Sequence, residues 1–190
     1  MSRTHWLFLA APLILAGCGG SGKVEQGRVI QFDRSQGLVT VILESGKARY
    51  DVLPPATVKV PANPAEMGPA PAAGELLWID SVQRQLVSYD AAAGQLRTVS
   101  YSPVEESRGV SSNDSRVREG LPRVDRQNRT VTLYDPDARL LLTCSVSEAD
   151  LNLPEDAWRA GDVVRYYFKQ PGQALRMMNV TRTDLTRSGE

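Results

Sequence analysis

The chain predicts an all-β protein, built as two tandem small antiparallel β-barrels from an internal duplication. Three observations carry this expectation. After residue 18 no stretch sustains an apolar period of 3.6 residues; short runs rich in Val, Leu, Ile, Thr and Tyr end instead in turn residues. Those runs alternate: Val39, Val41 and Leu43 with Thr40 and Ile42, Val131 and Leu133 with Thr130, Thr132 and Tyr134, Val164, Tyr166 and Phe168 with Val163, Arg165 and Tyr167. They also repeat. Asp33-Arg34-Ser35-Gln36 before Val39-Thr40-Val41 matches Asp125-Arg126-Gln127-Asn128 before Val131-Thr132-Leu133, at a displacement of 92 (125 − 33). A second echo at 45 (125 − 80) pairs Asp80 with Asp125 and Tyr89-Asp90 with Tyr134-Asp135. That echo requires no more than hairpins of one style.

Each copy reads in the same order. A strand enters at Gly27–Phe32 or Leu121–Val124, turns at Asp, and returns along Leu38–Leu43 or Thr130–Tyr134. The third strand is Ala48–Val52 or Arg139–Cys144. In the first copy a Pro/Ala-rich connection follows, Pro54 to Pro71, whose prolines cannot donate to a ladder. In the second, Pro154-Glu155-Asp156-Ala157-Trp158 reads as one helical turn, with Pro at its start and acids near its N-terminus. Final hairpins pair Glu75–Ser81 with Leu86–Asp90, and Val163–Lys169 with Ala174–Val180. Their leading segments, Ala73-Gly74-Glu75-Leu76-Leu77 and Ala160-Gly161-Asp162-Val163-Val164, are alike. Five strands interrupted between the third and fourth are OB-like; an SH3-like barrel or an open sandwich meets the same pattern. The expected domains are 25–102 and 119–184, with 103–118 as linker or surface loop and 185–190 as tail.

Ahead of the first domain stand Arg3 and the apolar run Trp6–Ala16, then Leu15-Ala16-Gly17-Cys18. The run has the length of a signal h-region, ~7–15 residues, and falls short of the ~20 needed to span a bilayer. The segment resembles the lipobox of bacterial lipoproteins and matches it at all four positions. The resemblance implies removal of residues 1–17 and a covalent diacylglyceryl lipid on Cys18, with further acyl chains holding the protein in the membrane. Residues 18–24, with Gly19-Gly20-Ser21-Gly22, form a flexible tether. Gly19, where Asp would favour inner-membrane retention, implies the outer membrane, facing the periplasm.

Composition then limits the chemistry. Without Arg3 the 22 basic residues become 21, against 22 acidic ones, a balance unsuited to general nucleic-acid binding. The one histidine, His5, lies in the signal, so Ser-His-Asp and Cys-His catalysis and most zinc sites lose their imidazole. With Cys18 acylated, Cys144 has no disulfide partner, and its place in Leu140-Leu141-Leu142-Thr143-Cys144 suits a small buried apolar residue. Gly17, Gly22 and Lys23 have phosphate-loop spacing, but Val24 stands where a Ser or Thr should hold Mg²⁺. No catalytic residue, metal ligand or cofactor beyond the lipid is expected.

The repeated acids Asp33, Asp80 and Asp125 suit turn capping, and Asp135-Pro136-Asp137 is likewise a turn. Arg108, Arg116, Arg118, Arg123, Arg126 and Arg129 form a basic stretch; a solvated strand face accounts for it, and an acidic polymer or anionic lipid is the alternative. Trp78 and Trp158 are core aromatics or, alternatively, groove linings. Arg116, Arg118, Arg123, Trp78 and Trp158 are thus the candidate binding surface. The leading expectation is a non-enzymatic, membrane-anchored envelope module that binds or assembles with another envelope protein or polymer. A glycan- or peptidoglycan-binding lipoprotein and a hydrolase using acidic residues alone are the alternatives.

Overall fold

The computed structural model describes residues 21–43 and 54–183. Its elements are β1 (Lys23–Asp33), β2 (Leu38–Leu43), β3 (Ala56–Lys59), a 3₁₀ turn at Pro64–Glu66, β4 (Leu76–Asp80), β5 (Gln85–Asp90), β6 (Gln95–Ser100), β7 (Ser102–Arg108) and a helical turn α1 (Ser115–Arg118). There follow β8 (Arg123–Asp125), β9 (Thr130–Asp135), β10 (Leu140–Ser145), 3₁₀ turns at Asp150–Asn152 and Glu155–Trp158, β11 (Val163–Phe168) and β12 (Arg176–Asn179). The all-β class is as expected.

Five hairpins share one loop, Asp followed by four residues. Asp33, Asp80, Asp90, Asp125 and Asp135 each pair across the ladder with the residue five positions on. The Asp carboxylate accepts from backbone N–H groups inside its loop, as from Val82 and Gln83 to Asp80 at 3.0 and 2.8 Å, and from Asn128 to Asp125 at 3.0 Å. The last loop residue is left-handed in all five: Gly37, Arg84, Gly94, Arg129 and Arg139, with φ from 50° to 67°. Glycine meets that conformation without strain; the three arginines hold it against the usual Cβ clash. Both sequence echoes trace to this loop. The Asp33 and Asp125 turns are alike, but the strands around them belong to different sheets.

The three antiparallel sheets have the orders β12-β11-β1-β2-β3, β7-β10-β9-β8 and β4-β5-β6. None closes into a barrel, which corrects the expectation of tandem OB-like or SH3-like barrels. The five-stranded sheet joins both ends of the chain, β1 pairing with β11 from Lys23↔Phe168 to Arg28↔Val163. Expected divisions at 25–102 and 119–184 are therefore crossed by its central ladder. Single bridges join Lys59 at the end of β3 to Gln173 in the β11–β12 turn, and Met67 in the connection after β3 to Met177 of β12.

The β4–β6 meander is the middle layer. Leu76, Ile79, Leu86 and Val99 pack on Val131, Leu133, Leu140, Leu142 and Cys144 of the four-stranded sheet. Leu77, Trp78 and Val87 pack the other way, on Ile30 and Ile42. A bulge at Leu77 makes this possible, because consecutive side chains at a bulge share a face. Hence β4 is buried along its whole length. A third cluster, including Val29, Val39, Val41, Val164, Tyr166 and Met177, fills the concave face of the five-stranded sheet.

Two connections differ from expectation. The Pro54–Pro71 connection holds β3, a proline-free window that pairs with β2. The 103–118 linker begins with β7, which is the edge partner of β10, and Pro103 falls where that register shifts. Proline is tolerated at such an edge bulge, and the exposed Glu and Ser side chains gave β7 the look of a loop. The third-strand expectation at Ala48–Val52 lies outside the described residues, as does Cys18. The 3₁₀ turn at Glu155–Trp158 follows Pro154, as its sequence suggested.

Layers and sheet are tied by a buried charge. Arg28 on β1 is 5% exposed; its guanidinium donates to the Gly161 carbonyl at 2.7 Å and to Asp137, with Asp135 at 3.9 Å. Nearby backbones meet too closely for any side chain. A Cβ on Gly161 would stand 1.9 Å from the Val29 carbonyl oxygen, and one on Gly74 2.2 Å from that of Arg159. The two look-alike segments are therefore in contact, bridged at Glu75↔Ala160.

Replacing Arg28 with Met should cost about 3–5 kcal/mol in urea unfolding, because Asp135 is left buried without its counter-charge. Arg28→Met with Asp135→Asn should recover part of that loss. A single variant within about 0.5 kcal/mol of wild type would show the pair to be dispensable.

Candidate functional site

A cleft of about 1120 Å³ lies where five segments meet: the stretch before β4 at Ala72, the stretch around α1, the β9–β10 loop, the approach to β11, and the residues after β12. Asp162 organises it from beneath. Its buried carboxylate accepts from the Ala72 N–H at 2.8 Å, the Asn179 amide at 2.8 Å and the Arg182 guanidinium at 2.7 Å. The wall around α1 is held by Tyr134, whose hydroxyl donates to the Val110 carbonyl at 2.9 Å, and by Arg139, which donates to that of Gly109 at 3.2 Å. Partial burial raises the Tyr134 phenol above its ordinary range, so it stays a neutral donor.

Donors dominate the lining. Arg139, Arg159 and Arg182 bring three guanidinium groups, of which Arg159 is paired with Glu155 and with Asp156 at 3.1 Å and Arg182 with Asp162, and Ser111, Asn113 and Thr181 add hydroxyl and amide groups. Asp162 is the one carboxylate among the lining residues, and its Oδ2 already accepts from three donors. Two further polar groups at the cleft lack partners among the described residues: the Trp158 indole N–H, on a side chain only 1% exposed, and the Thr183 hydroxyl. Such groups are costly to bury unless water or a ligand completes them. The arrangement can hold an oxygen-rich acceptor.

The expected surface residues fall differently. Trp78 and Trp158 are buried, at 7% and 1% exposure; Trp78 packs on Ile30 and Ile42, and Trp158 stands in the cleft lining. Arg116 and Arg123 do meet, over a small depression of about 160 Å³, but with Glu105 and Glu119 beside them. Asp114 pairs with Arg116 at 3.0 Å and Glu119 with Arg123 at 3.6 Å. Arg118 is exposed on α1 and has no ion pair among the described residues. Arg108 pairs with Glu106 at 2.5 Å and Arg129 reaches Glu148 at 3.8 Å, which neutralises most of the basic stretch. The side chain of Ser35 and the backbone at Gln36 hold the Asp33 carboxyl below its ordinary range, and Asn128 does the same for Asp125. Both are turn caps.

Nothing local in the sequence marks Arg139, Arg159, Arg182 and Asp162, which only tertiary contact brings together. The one pointer was the likeness of Ala160-Gly161-Asp162 to Ala73-Gly74-Glu75. Among the described residues, no three His, Cys, Asp or Glu side chains gather as metal ligands, and no helix is long and apolar enough to cross a membrane.

An all-β molecule of three antiparallel sheets with a donor-lined cleft is the class of protein this geometry defines. The chain belongs to the family described as Domain of unknown function (DUF4881), which matches residues 20–188. No curated protein and no solved structure matches it.

Cys144 is fully buried against Val131 and its neighbours, and burial pushes its thiol up to about 12. Native protein should therefore react with a maleimide at least ~100-fold more slowly than unfolded protein at pH 7.5. Equal rates would place the thiol at the surface.

Proposed function

We propose that the protein is a membrane-anchored envelope module that binds, without catalysis, an oxygen-rich acidic segment of another envelope protein through the cleft above Asp162. The observation that carries this reading is the lining: Arg139, Arg159 and Arg182 stand there with an indole N–H and a hydroxyl that lack partners among the described residues, and the one lining carboxylate already accepts from three donors. A carboxylate or phosphate suits such donors, and Arg can present two at once. Hydrolysis by acids alone would need two carboxyls facing across ~5–10 Å. The cleft lining offers one. The anchor part of the reading rests on the Leu15-Ala16-Gly17-Cys18 resemblance, which also implies the outer membrane and the periplasm as its setting. An acidic glycan is the second reading, favoured by the hydroxyl and amide groups of Ser111, Asn113 and Thr181 beside the arginines.

A photo-reactive side chain at exposed Asn113 should capture a partner in intact envelopes. Arg159→Glu should lower that capture about tenfold while moving the thermal midpoint by less than about 2 °C. A protease-sensitive adduct supports the protein partner, and an adduct cleaved only by glycan hydrolases replaces it with the glycan reading. Capture that Arg159→Glu leaves unchanged would remove the cleft as the binding site.

A further inference from the structure

The outer face of the five-stranded sheet is covered at one end and open at the other. Ile30 and Ile42 lie under Leu77, Trp78 and Val87 of the middle layer. Towards the start of β1 the same face carries two cross-strand rows, Val24–Tyr167–Arg176 and Gln26–Arg165–Met178. Val24, Tyr167, Arg165, Arg176 and Met178 of these rows line, with Leu175 and Glu66, a depression of about 700 Å³. Val24 is 61% exposed and Leu175 45% exposed. The cations stand among these apolar groups: Arg165 donates to the Gln26 side chain at 2.8 and 3.0 Å, and Arg176 to Glu66 at 2.6 Å. Contiguous exposed apolar groups with a charged rim mark an interaction surface.

The chain's own start says what that surface meets. Val24 is six residues after Cys18, so a fully extended tether holds it within roughly 20 Å of a lipidated cysteine. We propose that this open end is a membrane-docking face, on which Val24, Tyr167, Leu175 and Met178 enter the headgroup boundary while Arg165 and Arg176 meet lipid phosphates. The proposal rests on the lipid-anchor reading. Tethering brings the face to the bilayer at high effective concentration, so weak insertion is enough to fix its orientation. Tyr167, part apolar and part hydroxyl, suits that depth, and the arginines can reach the phosphates along their own aliphatic stems.

The test uses the full chain matured in membranes and reconstituted into phosphatidylcholine–phosphatidylglycerol vesicles, with or without bromine on the acyl chains. Tyr167→Trp adds an indole to the face, and Val82→Trp adds one to the β4–β5 loop, where Val82 is 92% exposed. Brominated lipid should quench the added emission of Tyr167→Trp by about twofold and leave that of Val82→Trp unchanged. Adding Leu175→Glu and Met178→Glu should abolish the quenching with Cys18 still lipidated. The mass of the N-terminal peptide reads Cys18 separately. Lipidated Cys18 with unquenched Tyr167→Trp overturns the docking face and leaves the anchor standing. Unmodified Cys18 overturns both. A concentration-dependent dimer that Met178→Glu dissociates, without quenching, assigns the face to a second copy of the chain and also overturns docking.

Discussion

The architecture depends on one buried charge. Arg28 lies under the packed layers, where an unpaired guanidinium would be strongly unfavourable, so it specifies which groups must stand beside it. Those groups are Asp135 and Asp137 in the β9–β10 loop and the Gly161 carbonyl before β11. A residue from the first strand thereby fixes the last third of the chain. The donor-lined cleft inherits its shape from this contact, because one wall continues from the β9–β10 loop and its floor is Asp162, next to Gly161.

The loops show how local rules and this long-range one divide the work. Asp with a left-handed residue four positions later closes five hairpins and sets their register. That device is short-range, so it was visible as an echo in the sequence. The loop recurs in all three sheets, so hairpins of one style are enough to produce the echo. Gly37 and Gly94 announce the left-handed position; Arg84, Arg129 and Arg139 conceal it, since Arg rarely adopts that backbone.

Legibility followed burial on one face. Leu38–Leu43 and Val163–Phe168 alternate strongly and were placed to within a residue, and the buried thiol of Cys144 was apparent from its apolar neighbours. β6 and β7 are hard to read from sequence because they are largely exposed and carry polar side chains that look like loop. The β1–β11 ladder joins residues some 140 apart and leaves no local trace. The cleft is illegible for the same reason, being assembled from five segments with no shared motif. What results is a molecule with two distinct ends. The apolar face begins at Val24↔Tyr167, and the cleft lies beyond the other end of β11, roughly 17 Å away along the strand.

The central claim is that the first and last strands make one cooperative unit with the middle of the chain. Native-state hydrogen exchange across a urea series measures this directly. The account predicts that amides of β1, β9 and β11 open with one common free energy and one dependence on urea. If β8–β10 opened as an independent unit while the β1–β11 ladder stayed protected, the chain would be two domains and the Arg28 tie would not govern its fold.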